Sequence, residues 1–325
     1  ISGPISNGTS GGSLGITKID SGTLTLKGVD SFTGAIAVEG GTVELTANNV
    51  LRAYQPANGG VGNAVSVSTD ATFAVSGGNN YTNTIGSVTG TGDVSIAAST
   101  ILKVANGSDN TFDGRLTGEG LFEKTGAATF TFSSTANTSE FSFDGTVQVT
   151  NGTMEFQGGT ALDALFIGEL KTLANTTLFL NESFINVGTL NITGNTILDF
   201  GTGDPSILNA DNIYIAEGAV LTIRNWSSEV DFLFANVAFR QIDGGGTLAG
   251  FNTDGTAPQN QVHFEGDPLS PDGSHTGWIN YDYQGYTNWE IRPIPEPATY
   301  GAMLLGGCVA LLGWRRYTTR RKRAG

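Results

Sequence analysis

The sequence predicts an all-β chain: a right-handed parallel β-helix (a solenoid) followed by a single C-terminal transmembrane helix, with an antiparallel β-sandwich as the alternative for the body. Three observations carry this prediction. Glycine supplies 47 of the 325 residues, about twice its usual share, while charged residues make up only 14%. Short runs of Val, Ile, Leu and Phe alternate with Thr, Ser, Asn and Glu at period two, as in Thr42-Val43-Glu44-Leu45. The last thirty-odd residues are composed unlike anything before them.

The strands come first. Gly-Gly, Asn-Gly and Asp-Gly turns interrupt them every six to ten residues. Glycine suits such turns because it accepts positive φ without a steric penalty. Short strands with inward Val, Leu and Phe, many tight corners and only 9 prolines favour the solenoid over the sandwich.

The body also repeats itself. KIDSGTLTL at 18–26 aligns with KTGAATFTF at 124–132, an offset of 106. The two share Lys18 and Lys124, Thr23 and Thr129, and Thr25 and Thr131. FTGAIAVEGGTVEL at 32–45 aligns with FDGTVQVTNGTMEF at 143–156 and keeps Phe, Gly, Val, Gly-Thr and Glu; FDGRLTGEG at 112–120 is a partial third copy. Gly22-Thr23-Leu24-Thr25-Leu26, Phe32-Thr33-Gly34 and Gly40-Gly41-Thr42-Val43 resemble the autotransporter-associated β-strand repeat, over 14–50 and more loosely over 110–156. Asp20 departs from the glycine expected at its place. The resemblance implies a β-helical stalk.

Residues 157–225 continue the theme with TLFL (177–180), TLNI (189–192), TILDF (196–200), NIYI (212–215) and AVLTI (219–223). Residues 226–292 change character: they hold three of the four tryptophans and both histidines, with DFLFANVAFRQI (231–242) read as a strand pair or a short helix. The expected organisation is therefore a solenoid over 1–225, an aromatic-rich β cap over 226–292 that covers the open end of the stack, and a separate tail over 293–325.

The tail has three parts. Pro295-Glu296-Pro297 is extended, because proline fixes φ and pushes its predecessor out of the helical region. Ala298 to Trp314 is uncharged, and as a helix its 17 residues would span about 25 Å, the short end of the transmembrane range. Arg315, Arg316, Arg320, Arg321, Lys322 and Arg323 then hold the end on the cytoplasmic side. This order resembles the PEP-CTERM sorting signal of Gram-negative bacteria. The resemblance implies recognition by an exosortase at the inner membrane, cleavage near Pro295–Pro297, and delivery of the body to the cell surface or an exopolysaccharide matrix. Export in turn implies a leader ahead of Ile1. Cys308, the one cysteine, lies in the apolar run as a small helix residue; it offers no disulfide framework, and the nucleophile of sorting belongs to the enzyme.

Charge narrows the function. The basic tail leaves ten basic against 30 acidic residues in 1–314, a net −20 that excludes nucleic acid as a partner. His263 and His275 read as loop histidines rather than a zinc or triad pair. Glu265, Asp267 and Asp282 are the carboxylates available for glycoside chemistry, without diagnostic spacing. Asp204, Asp267 and Asp272 sit in turns that offer oxygen ligands to Ca²⁺, yet no EF-hand loop or calcium repeat is present, so no cofactor is expected. Gly90-Thr91-Gly92 and Gly118-Glu119-Gly120 are turns, not phosphate loops. Nine Asn-x-Ser/Thr triplets, Asn106, Asn175 and Asn225 among them, follow from composition. Trp278, Tyr281, Tyr283 and Trp289 either close the core of the cap or stack on sugar rings. The function expected is non-enzymatic: an adhesin-like or structural protein displaying a long polar surface, the alternative being a carbohydrate-binding or polysaccharide-cleaving β-helix.

Overall fold

The computed structural model describes residues 1–8, 12–51, 62–78, 80–133, 142–158, 165–203, 205–227, 230–235, 261–265, 276–283 and 286–293. These residues form β-strands joined by corners, and no helix among them is long and apolar enough to cross a membrane. The predicted span at 298–314 lies outside the described residues.

The strands wind around three sides. The first side stacks β1 (Ile16–Lys18), β3 (Ile36–Val38), β5 (Ala64–Val67) and β8 (Ser87–Gly90). It continues through β11 (Asn110–Phe112), β14 (Thr129–Ser133), β16 (Gly152–Gln157), β18 (Thr176–Asn181), β20 (Thr196–Asp199), β22 (Leu221–Arg224) and β24 (Val262–Phe264). Two bonds join the two runs: Val88 N donates to Asn110 Oδ1 at 3.1 Å, and Asp113 N to Gly90 O at 3.0 Å. The second side holds β2 (Thr23–Leu26), β4 (Thr42–Leu45), β6 (Thr72–Val75), β9 (Asp93–Ile96) and β12 (Arg115–Gly118). The third holds β7 (Tyr81–Ile85), β10 (Thr100–Val104) and β13 (Leu121–Lys124).

From there the second and third sides merge into long bent strands: β15 (Ser142–Val149), β17 (Leu165–Thr172), β19 (Phe184–Ile192) and β21 (Ile207–Ile215). β23 (Phe232–Ala235) pairs with the first half of β21. All these pairings are parallel, and the sandwich alternative fails on that ground. Among the described residues, antiparallel pairing occurs only where β26 (Tyr286–Pro293) joins β23 and where β25 (Thr276–Tyr283) joins β26. The parallel stack thus runs past residue 225, where composition changes, through β23 and β24 before the hairpin begins.

One coil takes 19 residues between Thr23 and Thr42 and 30 between Thr42 and Thr72, the extremes of the stack apart from the 41 between Leu221 and Val262. Within a coil, alternate residues turn inward and meet the same position of the next coil. Phe130, Met154, Leu178, Leu198, Ile223 and Phe264 form one such buried column. Rings fill the middle of the rod: Phe132 lies 5.0 Å from Phe130, 5.2 Å from Phe122 and 6.0 Å from Phe156. Each such ring removes enough apolar surface from water to contribute about 1.5–3 kcal/mol.

The bend between the second and third sides is built on glycine, and here the reason is close approach rather than φ. A Cβ on Gly145 would meet Gly120 O at 2.2 Å, one on Gly168 would meet Asp144 O at 2.2 Å, and one on Gly188 would meet Gly168 O at 2.6 Å. Positive φ is found elsewhere, and among the described residues eight that are not glycine share it, Asp20, Asn175 and Asn225 included.

The two repeat copies do not occupy equivalent places. Lys18 ends β1 on the first side, whereas Lys124 ends β13 on the third. The path from one to the other passes β3, β5, β8 and β11 on the first side, then β12 and β13. The offset is four coils plus two sides.

Gly168→Ala should lower the unfolding free energy by about 1–3 kcal/mol through overpacking against Asp144 O. Gly3→Ala, with nothing within 4 Å, should leave it unchanged. Urea unfolding of the two variants checks this.

Candidate functional site

The outer surface is organised by glutamates that each accept from two neighbouring coils. Glu44 takes Thr25 Oγ1 at 3.3 Å from the coil before and Ser76 Oγ at 2.7 Å from the coil after. Glu155 takes Thr131 Oγ1 at 2.8 Å and Asn181 Nδ2 at 2.8 Å. Glu169 takes Thr146 Oγ1 at 3.0 Å and Asn191 Nδ2 at 2.7 Å. Glu123 is a variant, ion-paired with Lys103 at 2.8 Å on one side and accepting from Thr150 Oγ1 at 3.0 Å on the other. A carboxylate has two oxygens and accepts only, so between two strands at parallel-sheet spacing it can hold a donor above and a donor below.

Buried amides fasten the corners in the same direction. Asn63 Nδ2 donates to Phe32 O and Gly34 O one coil earlier, and Asn83 Nδ2 donates to Ala47 O while its Oδ1 accepts from Val50 N. Asn106 Nδ2 donates to Thr129 O at 2.8 Å in the next coil. Asp231, buried, accepts from Ser206 N and Ser227 N, and burial pushes its carboxyl above the ordinary range.

The repeat lysines do similar work with charge. Lys18 Nζ donates to Asp20 O at 2.6 Å in its own corner and to Gly40 O at 2.9 Å in the next. Lys124 Nζ donates to Gly126 O and, at 2.9 Å, to Asn151 O. Lys124 is fully buried: its side chain shares the inward parity of Phe122 and is level with Val104 and Val149. Burial pushes its ammonium down to about 8, with Asp109 acting in the opposite sense.

The residues proposed for chemistry are placed as follows. His263 lies in β24, level with Thr222. Glu265 is held by Arg224 Nε at 2.7 Å, so it pairs with a cation rather than with a second carboxylate. Asp282 lies on β25. His275, Asp204, Asp267 and Asp272 lie outside the described residues, as do Pro295, Glu296, Pro297, Cys308 and the basic tail. Among the described residues no group of three or more His, Cys, Asp or Glu converges. Trp278, Tyr281 and Tyr283 lie on β25 and Trp289 on β26, with Trp278 level with Ile291, Tyr281 with Asn288 and Trp289 with Asn280 and Ala235. Of the triplet asparagines, Asn106 is buried and bonded, and Asn225 donates to Asp199 Oδ1 at 2.7 Å. The clasping role of glutamate was legible only as a shared residue: Glu44 and Glu155 occupy the same place in the two repeat copies. Lys124 shares the parity of Phe122, but Leu121 is apolar with the opposite parity, so alternation alone did not mark the lysine as inward.

Glu169→Ala should cost about 1–3 kcal/mol, because it leaves Thr146 and Asn191 without their acceptor, and Glu169→Gln, which retains one oxygen, should cost less; denaturant unfolding orders the two. For Lys124 the folded chain binds its proton more weakly than the unfolded chain, which titrates near the ordinary 10.5. Below about pH 8 both states hold the proton and the cost of burial is complete; from there to 10.5 only the unfolded chain holds it, so stability rises with pH. Relative to Lys124→Met, the native chain should gain up to about 3 kcal/mol between pH 7 and 11, read from unfolding curves of both proteins.

No curated protein and no solved structure matches the chain. Residues 16–45 and 122–156 match the family described as passenger-associated-transport-repeat. These stretches are β1 to β4 and β13 to β16, and they coincide with the resemblance read from 14–50 and 110–156. Over those two stretches the chain is similar to the repeats of autotransporter passengers, and each stretch begins at a strand that ends in a corner-clipping lysine.

Proposed function

We propose that the chain is a non-enzymatic, autotransporter-like passenger rod displayed at the surface of a Gram-negative bacterium or in its exopolysaccharide matrix. One observation carries the reading: a parallel solenoid with passenger-type repeats uses Glu44, Glu155 and Glu169 on its outer face to hold coil to coil. The rod then acts by presentation, as an adhesin-like or structural element with a polar surface of Thr, Asn and Ser. Its aromatic-rich hairpin, with Trp278, Tyr281, Tyr283 and Trp289, is the segment suited to sugar contact.

The route is set by the last residues. The apolar run 298–314 holds the exported chain in the inner membrane while the basic cluster stays inside. An exosortase acting near Pro295-Glu296-Pro297 then releases the rod. Intact-mass measurement and C-terminal peptide mapping of protein from native cells should find the chain ending near Pro295–Pro297, outside the inner membrane. A chain ending at Gly325 in the membrane fraction would overturn sorting and leave a tail-anchored protein.

A further inference from the structure

The stack has a register problem that its apolar side chains do not solve. On the third side the inward positions of successive coils are alike: Leu102 and Val104, then Phe122 and Lys124, then Val147 and Val149. Slipping one coil by a single residue would turn its apolar set outward and is excluded by parity. Slipping it by two residues preserves parity, and nearly every inward side chain would find another apolar neighbour. The ladder of the straight strands re-forms after such a slip, so the remaining contacts that hold this coil pair in register are Gly145 against Gly120 O at the bend, Thr150 on Glu123 outside, and Lys124 inside.

Lys124 is the exception. Its ammonium is satisfied by two backbone carbonyls, Gly126 O in its own corner and Asn151 O in the next coil. Asn151 O is reached only when Lys124 stands level with Val149, the observed register. A two-residue slip carries that carbonyl along the strand and leaves a fully buried cation among Val, Leu and Phe without its second acceptor, a state far costlier than a lost apolar contact. Lys18 makes the same pair of carbonyl bonds one side out of phase, to Asp20 O and Gly40 O, but from a half-exposed position.

We infer that Lys124 is a register pin: a buried charge kept for the uniqueness of the stack rather than for its stability, as buried polar residues do in other repetitive cores. Methionine has nearly the length of lysine, fills the same column and needs no acceptor, so it removes the pin while leaving the packing.

The experiment is Lys124→Met in the full-length chain, refolded from denaturant beside the native protein and pulse-labelled by hydrogen exchange, with mass spectra of peptides covering 121–133 and 142–157. The native chain should give one isotopic envelope. Lys124→Met should fold, melt at the same or a higher temperature at pH 7, and give two envelopes for both peptides, one native-like and one less protected. A single envelope from Lys124→Met, whatever its melting temperature, overturns the pin and leaves a lysine that only bonds. Failure of the variant to fold overturns it as well, because a pin is not required for the stack to form.

Discussion

Everything in this rod depends on one coil lying on another in parallel register. A single coil of about twenty residues cannot bury its own Val, Leu and Phe, and the amides of its strands, unlike a few at the corners, find their partners in the adjacent coil; both needs are met by the neighbour. The polar surface obeys the same constraint. Glu44, Glu155 and Glu169 look like solvated strand residues from the sequence, yet each is placed by the coil above and the coil below. Inside, Asn63, Asn83 and Asn106 carry the ladder around corners where strand bonds stop. Stability is therefore a property of interfaces between coils.

Much of this was legible beforehand. Period-two alternation located the strands read at 177–180, 189–192, 196–200, 212–215 and 219–223, which the structure bounds differently at 199 and at 221–224, because a side chain in a strand has only two directions and burial selects one. The repeat located the matched stretches for the same reason: Thr23, Thr25, Thr129 and Thr131 mark the outward positions that flank a corner. Three features were not legible. The bend at Gly145 and Gly168 reads as a turn, but what requires glycine there is a carbonyl one coil away, some twenty residues distant in sequence. The continuation of the stack into Phe232–Ala235 was hidden because all four residues are buried, which erases alternation. The partners of the outward glutamates depend on which coil follows which, and coil length varies from 19 to 30 residues, with one coil of 41.

The candidate site shows the limit of reading chemistry from residue type. Glu265, one of the carboxylates named for glycoside chemistry, is ion-paired with Arg224, a partner its residue type did not announce. Lys124, which no motif for chemistry includes, is the most perturbed of the lysines whose surroundings the structure describes, because inward parity carried its ammonium into the core.

The unequal placement of the two repeat copies has a wider meaning. Lys18 and Lys124 use the same strand–corner–strand unit on different edges of a three-sided rod, four coils and two sides apart. Two of the three corners thus accept the same unit. A partner that recognises the unit would meet it from two directions about a third of a circle apart. The same segment written twice thus produces a rod without a single front.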